Sequence, residues 1–239
     1  MVLSEKLIAA MISKYIEKDM TLAFGASKHS EKFLTTLALE MEEKEIKVKV
    51  VPTSTRIAAI LASLKMPIAS INDSEIDVAI EFADKVDKGF NYIKRNSTSF
   101  VRDKMIAQSA GEMILIADEE NYGKRLCGLI PFEIAIFGWK RTLIQLQNLG
   151  KSTLRGSKEK PIMTETGHYI VDVEVDEIYS LEDLEFQAKD VPGVLETGLF
   201  IGYADRVFLH NGKLQMKSRI DYSKQNEIKE SSMQDILQL

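Results

Sequence analysis

Apolar positions recur along this chain in two rhythms, and the switch between them marks its elements. Leu7, Ile8, Met11, Ile12, Tyr15 and Ile16 follow Ser4 at helical spacing and predict an opening amphipathic helix. Residues 20–24 form a short, mostly apolar run that reads as a buried strand, and 25–29 read as a loop. A helix is predicted over 30–43, with Phe33, Leu34, Leu37 and Met41 on one face. The order of strand, loop and helix then returns. Residues 46–51 predict a strand, 52–55 a turn, 57–64 a helix, and 67–71 and 76–80 two further strands. After a charged stretch, 100–110 predict a helix and 113–117 a strand. Parallel strands need crossover connections, so this alternation predicts an α/β fold: a Rossmann-like, mostly parallel sheet with helices on both faces.

Near Cys127-Gly128 the character shifts. A strand at 131–136, a helix at 137–149 ending on Gly150, a strand at 168–175, a helix at 180–189 opened by Ser180 and Asp183, and a strand at 194–201 make a smaller α+β unit. The expected organisation is a catalytic domain over 1–127, completed by 203–221, a small α+β domain over 128–202, and a polar tail over 222–239.

Composition narrows the classes. The 239 residues are 45% hydrophobic, enough for a sizeable core, and carry a net charge of -5. That balance offers no broad basic field, so no nucleic-acid partner is expected. No window approaches the roughly 18 consecutive apolar residues of a membrane span. The single Cys127 cannot form an internal disulfide, and His29, His168 and His210 lack metal-ligand spacing. A cytoplasmic protein with no metal and no membrane partner is expected.

The candidate chemistry lies in the charged stretch. The strand at 76–80 runs directly into Glu81, Asp84 and Lys85, with Lys94, Arg102, Asp103 and Lys104 close behind. Ligands of doubly wound sheets sit beyond the carboxyl ends of the strands. Two carboxylates near an ammonium can move a proton and stabilise the resulting oxyanion, although charges after a strand also serve simply as a solvated loop.

The same stretch resembles the type A ribose-5-phosphate isomerases. In that family a strand enters an Asp-Gly-Ala-Asp-Glu motif, followed by a Lys-Gly-Gly-Gly loop and a helix opening with Arg-Glu-Lys. This chain has Glu81-Phe82-Ala83-Asp84-Lys85, Lys94-Arg95-Asn96-Ser97 and Arg102-Asp103-Lys104 in the same frame. "IPFEIAIFGWKRTL" (130–143) is similar to the family's Pro-Val-Glu-Val segment and the helix after it, and "PGVLETGLFIGYADRVFL" (192–209) to its Pro-Gly-Val…Gly-Leu-Phe…Ala-Asp signature. The resemblance runs collinearly over about 4–219.

It implies the interconversion of ribose 5-phosphate and ribulose 5-phosphate through an enediol, without metal or organic cofactor, by a homodimer or homotetramer. Asp103 stands at the position of the carboxylate base, Lys94 at that of the oxyanion-stabilising lysine, and Asp84 and Glu81 at the two further acidic positions. The phosphate loop corresponds to "AFGASKH" (23–29), where Gly25 persists and Ser27, Lys28, His29 and Ser30 offer hydroxyls and positive charge. Thr53 and Ser54 match a Ser/Thr turn that a helix cap alone would explain. Several positions depart from the pattern. Asp103 is one methylene shorter than the family's Glu, Glu81 one longer than its Asp, Asn121 replaces a substrate-contacting lysine, and Arg95-Asn96-Ser97 replaces three glycines. Such changes also suit a non-catalytic sugar-phosphate binder or regulator, or an isomerase of another phosphosugar. His168 falls where the family often has Asn, in a turn, and is expected to be structural.

Overall fold

A computed structural model describes residues 9–10, 12–27, 29–176, 178–210 and 214–219. The first half runs β1 (Thr21–Phe24), α1 (Ser30–Glu43), β2 (Lys49–Pro52), α2 (Thr55–Ser63), β3 (Ile76–Phe82), the short strands β4 (Lys85–Val86) and β5 (Tyr92–Ile93), α3 (Phe100–Ser109) and β6 (Ala110–Asp118). The second half runs β7 (Gly128–Ile134), α4 (Trp139–Leu146), β8 (Lys151–Leu154), β9 (Tyr169–Val175), α5 (Leu181–Asp190), β10 (Val194–Thr197), β11 (Leu199–Phe200), β12 (Arg206–His210) and β13 (Leu214–Ser218).

The main sheet has the order β13-β12-β6-β3-β1-β2 and is parallel except for the β12–β13 pair. Strands of such a sheet are buried on both faces, and successive side chains of β1 divide accordingly. Leu22 and Phe24 join one core with Phe33, Leu34 and Leu37 of α1 and Ile57 and Leu61 of α2. Ala23 joins the other, with Ile106 and Ala107 of α3. A second sheet, β10-β7-β9-β8, is antiparallel and packs Ile130, Phe132, Val171 and Val173 against Leu146 of α4 and Leu184 and Ala188 of α5. The small sheet β11-β5-β4 takes β4 and β5 from the connection between β3 and β6, and β11 from the link between β10 and β12. Among the described residues no helix is long and apolar enough to cross a membrane.

Two sequence expectations need correction. Residues 67–71 form no strand; a single bridge joins Val50 to Ile68. The Val50 N–H donates to the Pro67 carbonyl and the Ala69 N–H to the Val50 carbonyl, but Pro67 brings no N–H and Ile68 is 50% exposed, so the pairing stops at one bridge. The apolar run at 194–201 divides into β10 and β11, which join different sheets on either side of Gly198. The opening helix lies largely outside the described residues; Ser13–Tyr15 form a 3-10 turn, and Ile12 and Ile16 enter the core. The polar tail, 222–239, also lies outside them.

Gly198 holds the crossing point in place. Its carbonyl accepts from the Lys94 N–H at 2.8 Å and its own N–H donates to the Pro131 carbonyl at 2.7 Å. A Cβ here would lie 2.4 Å from the Lys94 oxygen and 2.6 Å from Pro131 Cγ. Gly198→Ala is therefore expected to destabilise the fold by about 1–3 kcal/mol. For a chain of this size that lowers Tm by roughly 3–10 °C, measurable by calorimetry.

Candidate active site

The carboxyl end of β3 delivers the first charged group. Glu81 is the next-to-last residue of this strand, and its carboxylate turns back over the β1–α1 loop. A Cβ on Gly25 would sit 1.8 Å from Glu81 Oε1, so the loop can pass only because Gly25 has no side chain. Glu81 Oε1 accepts from the Phe82 N–H at 2.8 Å. Lys94 follows β5, and Asp103 lies in the first turn of α3, where Ser99 caps the helix by accepting from Arg102 N at 3.2 Å.

These three elements bring their charges together. Lys94 Nζ donates to Glu81 Oε2 at 2.5 Å and lies 2.7 Å from Asp103 Oδ2. All three residues are buried, Lys94 being 1% exposed. Burial pushes the Glu81 carboxyl up to about 7, with the Asp103 charge reinforcing the shift and Lys94 opposing it. Burial alone would lower the Lys94 pKa, but Asp103 and Glu81 on either side hold it above its ordinary value. One ammonium between two carboxylates leaves an excess negative charge in a dry site, so a proton is bound and released near neutrality at Glu81.

Above this triad opens a cleft of about 670 Å³. The loop after β1 supplies Ser27 and His29, the end of β3 supplies Phe82 and Asp84, and the end of β6 leads to Asp118 and Asn121. Ser97 closes the side towards α3, while Arg56 and Arg155 reach it from α2 and from just beyond β8. Asp84 Oδ2 accepts from the Arg95 N–H at 2.6 Å. The Arg95 side chain does not line the cleft; its guanidinium sits near Gly128. Phe82 lines the wall, packed edge-on against Phe33.

The expected site residues thus divide by depth. Asp84, Ser27 and His29 line the cleft; Glu81, Lys94 and Asp103 are buried behind its lining. Gly25 makes room for Glu81. Ser30, Thr53 and Ser54 are turned inward and their hydroxyls hold backbone. Ser30 donates to the Gly25 carbonyl and accepts from Ser27 N, Thr53 donates to the Phe24 carbonyl, and Ser54 caps α2 by accepting from Ile57 N. Lys28 lies outside the described residues.

Other contributors were not among the expected site residues, although Glu133 lies in the segment similar to Pro-Val-Glu-Val and Ser97 at a replaced glycine. Ser97 Oγ donates to Asp103 Oδ2 at 2.5 Å. Arg155, paired with Asp172, donates to the Arg95 carbonyl at 2.9 Å and so steadies the loop that follows Lys94. Glu133 of β7 is fully buried and accepts from Ser99 Oγ, Val101 N, Thr164 Oγ1, Thr166 Oγ1 and His168 Nδ1. This fixes the start of α3 against the second sheet and gives His168 a structural task. Burial would raise the Glu133 pKa, but the hydrogen bonds from Thr166, Val101 N, His168 and Thr164 outweigh it and hold the group below its usual range. Among the described residues no cluster of three or more His, Cys, Asp or Glu could hold a metal ion.

Comparison with known proteins matches residues 49–213 to the family described as ribose 5-phosphate isomerase A (phosphoriboisomerase A). The ribose-5-phosphate isomerase A of Agrobacterium fabrum is 34% identical over 199 residues, 80% of this chain and 86% of that protein. The one from Pyrococcus horikoshii is 32% identical over 212 residues, covering 86% and 93%. A solved D-ribose-5-phosphate isomerase in complex with phospho-erythronic acid has a TM-score of 0.82 at 30% identity, covering 90% of this chain and 98% of that one. The ribose 5-phosphate isomerase of Plasmodium falciparum shares the fold, with a TM-score of 0.83 at 24% identity, covering 91% and 98%.

Glu81 and Glu133 predict opposite pH behaviour. Glu81, raised from 4.5 to about 7, contributes stability that is present below pH 4.5 and lost as pH rises through 7. Glu81→Gln should therefore gain on the parent protein between about pH 5 and pH 8, by on the order of 1–3 kcal/mol in urea unfolding. Glu133, held low, contributes stability that is present above 4.5 and lost as pH falls below it. Glu133→Gln should lower stability at neutral pH by about 1–3 kcal/mol and flatten the acid limb of the same unfolding series.

Proposed function

The chain belongs to the ribose 5-phosphate isomerase A family, and from that premise we propose that it interconverts ribose 5-phosphate and ribulose 5-phosphate by proton transfer through an enediol. The observation that carries the proposal is Lys94 held 2.5 Å from Glu81 and 2.7 Å from Asp103, beneath a cleft at the carboxyl ends of parallel strands.

In the open-chain aldose the C2 proton is removed with the Asp103 carboxylate as the ultimate base, and the electron pair flows into the C1 carbonyl to give an enediolate. Return of a proton at C1 leaves the C2 carbonyl of the ketose. Charge develops on the sugar oxygens, and the ammonium of Lys94 stabilises it in a site where few water dipoles screen it. Glu81, whose proton affinity lies near neutrality, can supply and recover the proton exchanged with a sugar oxygen. Asp84, on the cleft wall, is placed to contact hydroxyls and to assist ring opening. Ser27, His29 and the start of α1 receive the phosphate, where backbone N–H groups and the helix dipole favour an anion. Arg56 adds positive charge on the same side. The exposed Phe137, Ile144 and Phe186 supply the interface of a homodimer or homotetramer.

Purified protein given ribose 5-phosphate should form the ketose, and Asp103→Ala should lower kcat by about 10²–10⁴-fold, the usual contribution of a positioned base. Absence of turnover in the parent protein, together with a rise in Tm on adding phospho-erythronic acid, would instead identify a sugar-phosphate binder.

A further inference from the structure

We propose that Ser97 is the group through which Asp103 reaches the sugar: its hydroxyl accepts the carbon-bound proton while its own proton passes to the Asp103 carboxylate. This rests on the isomerase reading above and assigns its proton path.

Asp103 does not line the cleft. The residue is 4% exposed, and its Oδ2 is engaged by both Lys94 Nζ at 2.7 Å and Ser97 Oγ at 2.5 Å. Ser97 does line the cleft, and its hydroxyl donates to that carboxylate. Its hydroxyl is oriented from both sides. Oγ accepts from the Ser99 N–H at 2.9 Å, so its hydrogen is directed to Asp103 and one lone pair remains for the cleft. The Ser99 N–H is itself anchored, because Ser99 caps α3 and touches Glu133. A serine whose acceptor and donor contacts are both fixed by buried neighbours is arranged to pass a proton along one line, to and from Asp103.

The step balances without a further reactant. As the C2–H bond breaks, its proton bonds to Ser97 Oγ, the Oγ–H bond breaks, and that proton bonds to Asp103 Oδ2. The C–H electron pair enters the enediolate, serine stays neutral, and the carboxylate becomes a carboxylic acid. Protonation at C1 runs the same exchange in reverse.

Side-chain length explains why the relay occurs in this chain. Glutamate at 103 would carry its carboxylate forward by about one C–C bond, into the space that Ser97 Oγ fills. The two positions are therefore alternatives: a short acid with a hydroxyl before it, or a long acid facing an empty position. The test is a set of four variants assayed with ribose 5-phosphate. Ser97→Gly and Asp103→Glu should each lower kcat by at least about thirtyfold, in line with the cost of an ångström of misplacement, with KM changed less than about threefold. The double variant should return to within roughly threefold of the parent, a non-additivity that two independent losses cannot produce. Ser97→Thr, which keeps the hydroxyl, should retain most of the activity. Melting curves show which variants are folded, and Ser97→Thr against Ser97→Gly decides the matter if Asp103→Glu is not. Parental kcat in Ser97→Gly, or a double variant slower than both singles, overturns the relay. No turnover by the parent protein removes the isomerase reading first, and the relay with it.

Discussion

A lysine ammonium buried between two carboxylates organises this molecule. Removing three ions from water is costly, and the cost is offset only if their geometry is held closely and each remaining lone pair finds a donor. The surrounding loops meet that demand one atom at a time. Phe82 N satisfies Glu81, Ser97 satisfies Asp103, and the backbone of Lys94 is pinned through Gly198 to Pro131. The carboxyl end of β3, the residue after β5 and the first turn of α3 bring these charges to one point.

The two sheets are joined by the same polar logic. Glu133 reaches from β7 to the cap of α3, and Arg155 reaches from beyond β8 to the loop after Lys94. The second sheet is thus a buttress for the charged site, placing hydrogen-bond acceptors and donors behind residues that the first sheet positions from the front. A bound sugar would lie between side chains whose rotamers are set from both directions, the condition for precise proton transfer.

Much of the architecture was legible in the sequence because apolar periodicity reports burial directly. The alternation at 20–43 and 46–64, the Ser180 cap and the change of character near Cys127 all have counterparts in the described elements. Residues 67–71 misled because their apolar run pairs with β2 through a single bridge at Ile68, which is half exposed, and goes no further. The charges at 81, 84, 94 and 103 were visible as types, but their depths were not: nothing in spacing says that Asp84 faces the cleft while the other three lie behind its lining. Hydroxyl roles were least legible. Ser27 and Ser30 look equivalent in sequence, yet one lines the cleft and the other holds the Gly25 carbonyl, because that choice is made by tertiary hydrogen bonding.

The contact between Gly25 and Glu81 restricts how this site can be re-engineered. A designer rebuilding the β1–α1 loop with new side chains has no freedom at that glycine, since even a methyl group would displace the Glu81 carboxylate, whose pKa burial pushes up to about 7. Changes in that loop and the acid strength of Glu81 are therefore coupled, and drift in either has to travel around position 25.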